Sequence, residues 1–199
     1  MDHATHSSAF ERYVTGIEGV LDCRRSTPVT VREISRLTER LVENADWLAP
    51  EHCQAVPDRY ARYLLHRDRA NRFVVMSLVW LPGQSTPIHD HSCWGVMGLA
   101  DGELEEVLYD RLDDGSRPDY AELEESGRQR VSPGSVSSIL PPYREIHRIA
   151  NATDGPAISI HVYGRDLDEI NVFDPSTRRV SPMRIRYYNT ECGDEPFMI

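Results

Sequence analysis

The triplet His89-Asp90-His91 sets two imidazoles one residue apart, and the stretch Ser159-Ile160-His161-Val162-Tyr163 follows further along the chain. Extended backbone turns successive side chains to opposite faces. His89 and His91 therefore share a face at the separation a metal ion needs, while Asp90 points away. Two ordinary polar residues on an open strand face would show the same pattern. In the second stretch Ser159, His161 and Tyr163 alternate with Ile158, Ile160 and Val162, as in a half-buried strand. Two readings fit it. The three polar residues either bond one another inside a barrel, or form a relay in which Ser159 orients His161 and His161 directs the Tyr163 hydroxyl towards the oxygen ligand of a metal.

The surroundings of the histidine pair carry a resemblance. Gly83 stands before His89 with five residues between them, and Gly95 and Gly102 follow His91. This run resembles the first cupin motif, with Gly95 where cupins usually carry a Glu ligand. Gly127, Pro133-Gly134, His147 and Asn151 resemble the second motif, although the stretch from Gly134 to His147 is longer than that pattern usually has. The resemblance implies a third ligand, His147, and a three-histidine set without a carboxylate. Three neutral imidazoles leave a dipositive ion with open positions, one negative charge short of the two-His-one-carboxylate iron oxygenases. A soft anion such as a thiolate would supply that charge. Imidazole also suits zinc, copper and nickel, so the donors alone do not name the metal.

The histidine pair, the later His and the Ser-x-His-x-Tyr strand, in this order and spacing, are similar to the cysteine dioxygenase family of thiol dioxygenases over about residues 58 to 190. That resemblance implies a cupin fold, Fe(II) held by His89, His91 and His147, and conversion of a small thiol to its sulfinic acid with O2. It makes Ser159, His161 and Tyr163 the outer-sphere triad. It matches Arg62 to the position where cysteine-specific members hold the substrate carboxylate, with Tyr60 beside it, and a guanidinium fork suits that task. An exposed helix Arg is the plainer reading of Arg62. The 3-mercaptopropionate-type bacterial members carry Gln there and a compensating Arg several residues after the Tyr, where this chain has Asn171, Val172 and Phe173. The position that carries the crosslinking Cys of mammalian members holds Gly95, and Cys93 lies two residues earlier, a poor place for a Cys93–Tyr163 thioether. Trp94 and Met97 read as the bacterial branch.

The expected substrate is L-cysteine, a small thiol with a carboxylate, together with O2; 3-mercaptopropionate and mercaptosuccinate are the alternatives. A non-catalytic metal-binding cupin sensor is more remote, since a sensor has no need of the Ser-x-His-x-Tyr strand. A zinc or manganese isomerase would want the Glu that Gly95 replaces.

The elements that hold these residues divide the chain in two. Tyr13, Val14, Ile17 and Leu21 predict a helix over Phe10 to Leu21, and Thr30 with Glu33 forms a capping box opening a second helix. A third short helix is expected over Asp58 to Leu65, after Pro57. From Phe73 onwards short β-rich runs alternate with Pro, Gly and Asp turns, including FVVMSLVW, IHDHSCWGVMG, ELEEVLYDR, VSSIL, AISIHVYG and PMRIRYY. The fold expected is mainly β: a cupin jelly-roll β-barrel over about residues 67 to 190 with an N-terminal helical section over about 1 to 66, in one domain of 199 residues. Asp113 to Glu125 reads as a solvated hairpin loop, His66 as a structural hydrogen-bonding residue, and Trp80 as core or pocket wall. The formal net charge is −10 and every basic residue is Arg. That balance argues against nucleic-acid and membrane-surface partners. Cys23, Cys53, Cys93 and Cys192 are scattered without Cys-x-x-Cys spacing and read as reduced thiols. With no apolar leader or spanning run, the expected location is the cytoplasm.

Overall fold

The structure is a computed structural model, and it describes residues 3–189. Cys192 lies outside the described residues, as do the side chains of His3 and His6. Two helices, α1 (His3–Asp22) and α2 (Thr27–Val42), precede eleven strands. These are β1 (Ala61–Arg67), β2 (Val74–Trp80), β3 (Ile88–His89), β4 (Gly95–Asp101), β5 (Leu104–Arg111), β6 (Leu123–Val131), β7 (Val136–Ile139), β8 (Ile146–Ala150), β9 (Ala157–Tyr163), β10 (Glu169–Asp174) and β11 (Arg179–Arg184). They form a five-stranded sheet in the order β1-β2-β9-β4-β7 and a six-stranded sheet in the order β11-β10-β3-β8-β5-β6. All the pairings are antiparallel, and strands adjacent in space are mostly distant in sequence. This is the mainly β cupin barrel expected from the sequence.

The pleat of the five-stranded sheet sorts its side chains into two cores. Val75, Val96, Ile160 and Val162 face outward and pack with Tyr13, Ile17, Ile34 and Val42 of the helices. Met76, Leu78, Met97, Leu99 and Tyr163 face the barrel interior. The helices therefore brace the outer face of the sheet that carries the Ser-x-His-x-Tyr strand. Their approach is close at Gly98, where a Cβ would lie 2.7 Å from Thr38 Cγ2 and 2.9 Å from Val42 Cγ1. Tyr13 and Thr38 share a buried hydrogen bond of 2.8 Å that holds α1 on α2.

Two local expectations need correction. The predicted helix over Asp58 to Leu65 is replaced by a loop and strand β1. Short runs of Tyr and Leu fit either period, and pairing with β2 decides the matter here. Ala61 and Tyr63 turn outward against Val79, leaving Arg62 and Leu64 on the inward face. The barrel thus gains residues that sequence periodicity assigned to the helical section. Helix α2 begins at Thr27 rather than after Thr30, with Ser26 as the N-cap residue. Pro28 is tolerated in a first turn because its missing N–H would be unpaired there anyway, so the helix starts earlier and the expected Thr30–Glu33 box does not form its start. Thr30 is instead buried within the helix.

Candidate metal centre

His89 ends β3, His91 follows two residues on, and His147 lies on β8 directly opposite His89. All three are buried, and one nitrogen from each falls within 4.8 Å of the others. Strand pairing brings His147 to the pair, while His91 lies beyond the end of the two-residue strand β3. Asp90 points away as expected and accepts hydrogen bonds from the backbone and side chain of Asn171, at 3.1 and 2.9 Å.

Hydrogen bonds on the far side of two rings set their tautomers. His89 Nδ1 donates to the Pro87 carbonyl at 3.0 Å, and His147 Nδ1 donates to Glu106 Oε1 at 2.8 Å. Both Nε2 lone pairs are then aimed inward, and His91 Nε2 lies 3.1 Å from His147 Nε2. Burial, with the neighbouring imidazoles second, holds His91 well below the ordinary histidine range; His89 is lowered by burial and by His147. A cluster of buried, inward-facing imidazole nitrogens is the donor set of a cation. The residues present therefore fit a bound metal.

Glu106 is the functional group that sequence reasoning missed. It is 2% exposed and accepts from both His147 and Gln129 Nε2, the latter at 2.6 Å. Burial works against its charge, but the hydrogen bonds from His147, Gln129 and Ser137 keep its carboxyl below the ordinary glutamate value. The donor set lacks a carboxylate, yet a carboxylate stands directly behind one donor. Such a partner fixes ring orientation and raises ligand basicity. The clue lay in the alternation of ELEEVLYDR, where Glu106 occupies the same strand face as Leu104.

Ser159, His161 and Tyr163 line up on the inner face of β9, all buried. Trp80 Nε1 donates to Ser159 Oγ at 2.9 Å, Ser159 Oγ lies 2.8 Å from His161 Nε2, and His161 Nδ1 lies 3.2 Å from the Tyr163 hydroxyl. Indole nitrogen is only a donor. With Trp80 donating to Ser159 Oγ, the hydroxyl of Ser159 is placed to donate to His161 Nε2, and the Nδ1–H tautomer of His161 to the Tyr163 oxygen. In that tautomer the Tyr163 proton points elsewhere, and Tyr163 lines the cavity that also contains His89 and His91. Burial, then Arg62 and His147, lowers His161 to about 3, so its ring stays neutral. Burial raises the Tyr163 phenol above its ordinary value, which keeps it protonated.

Tyr60 and Arg62 line the same narrow cavity, closed from the C-terminal side by Ile185 and Tyr187. Tyr60 stacks on Trp80 at 4.5 Å between centroids. Arg62 Nη2 donates to Met76 Sδ, a weak acceptor, and its buried Nε has no partner among the described residues. Cys93 is a half-buried free thiol packed against the inner core that includes Tyr163, and burial pushes its pKa up. At Gly95 a Cβ would sit 2.7 Å from Tyr163 Cε1, so the ring occupies the space a longer side chain would need. His66 lies outside the cluster, stacked on Phe73, with its Nε2 unpartnered among the described residues. No helix among the described residues is long and apolar enough to cross a membrane.

Barrel and site together define a cupin with a buried three-histidine metal-binding cluster. A family model described as cysteine dioxygenase type I matches residues 3–176, and the chain belongs to that family. Cysteine dioxygenase type 1 of Danio rerio is 26% identical over 175 residues, covering 83% of this chain and 80% of its own. The Rattus norvegicus protein of the same name is 28% identical over 167 residues, covering 81% and 78%. Among solved structures, an uncharacterized protein with a double-stranded β-helix domain from Klebsiella pneumoniae aligns at a TM-score of 0.48 and 16% identity, over 62% of this chain and 92% of its own.

Proposed function

We propose that this protein is a cytoplasmic thiol dioxygenase that oxidises L-cysteine to its sulfinic acid with O2 at a mononuclear Fe(II) held by His89, His91 and His147. The observation that carries this reading is the guanidinium of Arg62, without a carboxylate partner, in the same cavity as His89, His91 and Tyr163. Arg62 is half-buried, its enclosed Nε has no partner among the described residues, and a substrate carboxylate would complete it. Membership of the cysteine dioxygenase family supports the reaction class.

Held by His89, His91 and His147, an iron ion would supply the redox chemistry that joins a thiol to dioxygen. Arg62 receives the substrate carboxylate by a two-pronged hydrogen bond, which sets the thiol sulfur towards the histidine cluster. Tyr60, stacked on Trp80, walls the carboxylate side of the cavity. Tyr163 presents its phenol proton to the cavity, held in place by His161, Ser159 and Trp80. A preset donor aimed where negative charge gathers on sulfur or oxygen lowers the barrier without reorganising at that moment. His161 stays neutral and so orients Tyr163 rather than trading protons with water. The sum is one thiol and one O2 giving one sulfinic acid, with no outside reductant.

The test is oxygen uptake by anaerobically purified, Fe(II)-loaded protein with L-cysteine, 3-mercaptopropionate, mercaptosuccinate and cysteamine. The expected result is sulfinate formed with equal oxygen use, fastest for L-cysteine by kcat/KM. No sulfinate from any thiol overturns the reaction. A large preference for 3-mercaptopropionate overturns the substrate and keeps the class.

A further inference from the structure

We propose that Tyr187 is the positioning residue that keeps the Arg62 fork turned into the cavity, and so sets the preference for thiols that bear a carboxylate. The proposal rests on the reading of Arg62 as the carboxylate clamp. Arg62 is weakly anchored by its own hydrogen bonds: the acceptor Met76 Sδ is soft, and Nε has no partner among the described residues. A long, flexible side chain held so loosely needs a surface to fix its plane. The Tyr187 ring provides one, with the Arg62 guanidinium carbon 5.4 Å from its centroid, inside the range of cation–π attraction.

Tyr187 is itself held from two directions. Its hydroxyl donates to Asp166 Oδ1 at 2.6 Å, while Asp166 Oδ2 accepts from Arg67 Nε at 2.6 Å. The Asp166 backbone N–H donates to Asn71 Oδ1 at 2.9 Å, which fixes that loop in turn. The backbone around Tyr187 is tied to β1: the Tyr188 N–H donates to the Arg62 carbonyl at 2.7 Å, and the Asn189 amide spans the N–H and carbonyl of Leu64. The Ile185 N–H donates to the Asp168 carbonyl at 2.9 Å. The segment after β11 is thus a strap across the mouth of the cavity, with Ile185 and the Tyr187 ring on its inner side.

The Asp166 link has a second consequence. Arg67 takes one carboxylate oxygen and Tyr187 the other, so the nearby acid is spent on groups other than Arg62. Arg62 is left without a carboxylate partner, and a substrate carboxylate displaces only the weak bond to Met76 Sδ instead of an internal ion pair. An aromatic face satisfies part of the guanidinium's charge without using its N–H groups, which remain for the ligand.

Tyr187→Leu removes the face, and Tyr187→Phe removes only the tie to Asp166. Two readouts decide. The first is the Arg62 Nε–H signal in nitrogen-15 NMR, assigned by its loss in Arg62→Ala, titrated with propionate as a bare carboxylate probe. The expected result is a propionate Kd raised at least tenfold in Tyr187→Leu and about threefold in Tyr187→Phe. The second is KM for L-cysteine against cysteamine, which lacks the carboxylate. The expected result is a KM raised at least tenfold for L-cysteine in Tyr187→Leu, unchanged for cysteamine, with kcat within threefold for both. Equal losses on both thiols, or wild-type propionate affinity in both variants, overturn the proposal. If Tyr187→Leu does not fold, Tyr187→Phe decides alone: propionate affinity equal to wild type overturns the proposal. Wild-type protein that binds propionate through Arg62 yet oxidises no thiol overturns the dioxygenase reading and leaves this one standing.

Discussion

Replacing Glu106 with Gln is expected to loosen the metal while leaving the barrel folded. The substitution preserves volume at a 2% exposed position and removes one charge. Its first effect falls on the 2.8 Å bond from His147 Nδ1, where a charged acceptor becomes neutral. Hydrogen bonds to charged groups contribute about 1.5–3 kcal/mol, roughly twice a neutral pair. The second effect falls on Gln129, whose Nε2 donates to Glu106 Oε2 at 2.6 Å and would face a second amide unless one of the two rotates. With a weaker acceptor behind it, His147 becomes a poorer donor to the metal. Affinity should fall about 10–100-fold, or about 1.4–2.7 kcal/mol. Anaerobic competition for Fe(II) or Co(II) against a chromophoric chelator measures this directly, and melting of the metal-free proteins by circular dichroism checks the fold. Affinity within twofold of wild type, in a folded variant, would refute the argument that Glu106 acts on the metal through His147.

Three further outcomes follow from the same geometry. Tyr163→Phe removes the donor that faces the cavity and should lower kcat by about 100-fold, with Ser159→Ala nearer tenfold because it only slackens the orientation of His161; equal losses in steady-state assays would mean that Tyr163 is not the terminal group. His161 titrates at about 3 in the folded protein and near 6.5 when exposed, so the unfolded chain takes up a proton between those values that the folded chain refuses. Stability should therefore fall as pH drops from about 6.5 towards 3, by up to about 1.4 kcal/mol per pH unit from this group. Urea denaturation of metal-free His161→Gln should show a slope shallower by that amount, and an unchanged slope would contradict a buried neutral imidazole. Gly95→Ala drives a methyl into the Tyr163 ring and Ile139 Cδ1, 2.7 and 2.9 Å away. It should cost about 1–3 kcal/mol of stability together with most of the activity; wild-type stability in denaturant would show that the ring has room to move.

The residues that act through local pattern stood out in the chain itself. Alternation placed Ser159, His161 and Tyr163 on one face, and turned Asp90 away from His89 and His91. The first holds because a strand's period is local and strict; the second holds although the strand ends at His89, with Asp90 held outward by Asn171. The order and spacing of the same motifs pointed to the barrel. What stayed hidden depends on pairing between distant segments. Arg62 was assigned to a helix because Tyr and Leu runs satisfy either period, and only its partnership with Leu78 on β2 makes it inward-facing strand. Glu106 lies far from His147 in sequence and meets it through the β5–β8 pairing. The Tyr187 strap is invisible for the same reason, since Asp166, Arg67 and Arg62 converge on it from three parts of the chain. Trp80 reads from the sequence as core or wall, which it is, but its indole N–H also anchors the Ser159 end of the relay.

In the function proposed for this barrel, both atoms of dioxygen end up on the sulfur of a small carboxylated thiol, and the reaction requires the metal held by His89, His91 and His147. Its most direct test is mass spectrometry of the product formed from L-cysteine and oxygen-18 gas by the Fe(II)-loaded protein. The expected product is a sulfinic acid with both oxygens labelled, absent from samples in which the metal has been removed by chelator. A product with one labelled oxygen, or none, or a doubly labelled product that survives loss of the metal, would contradict it.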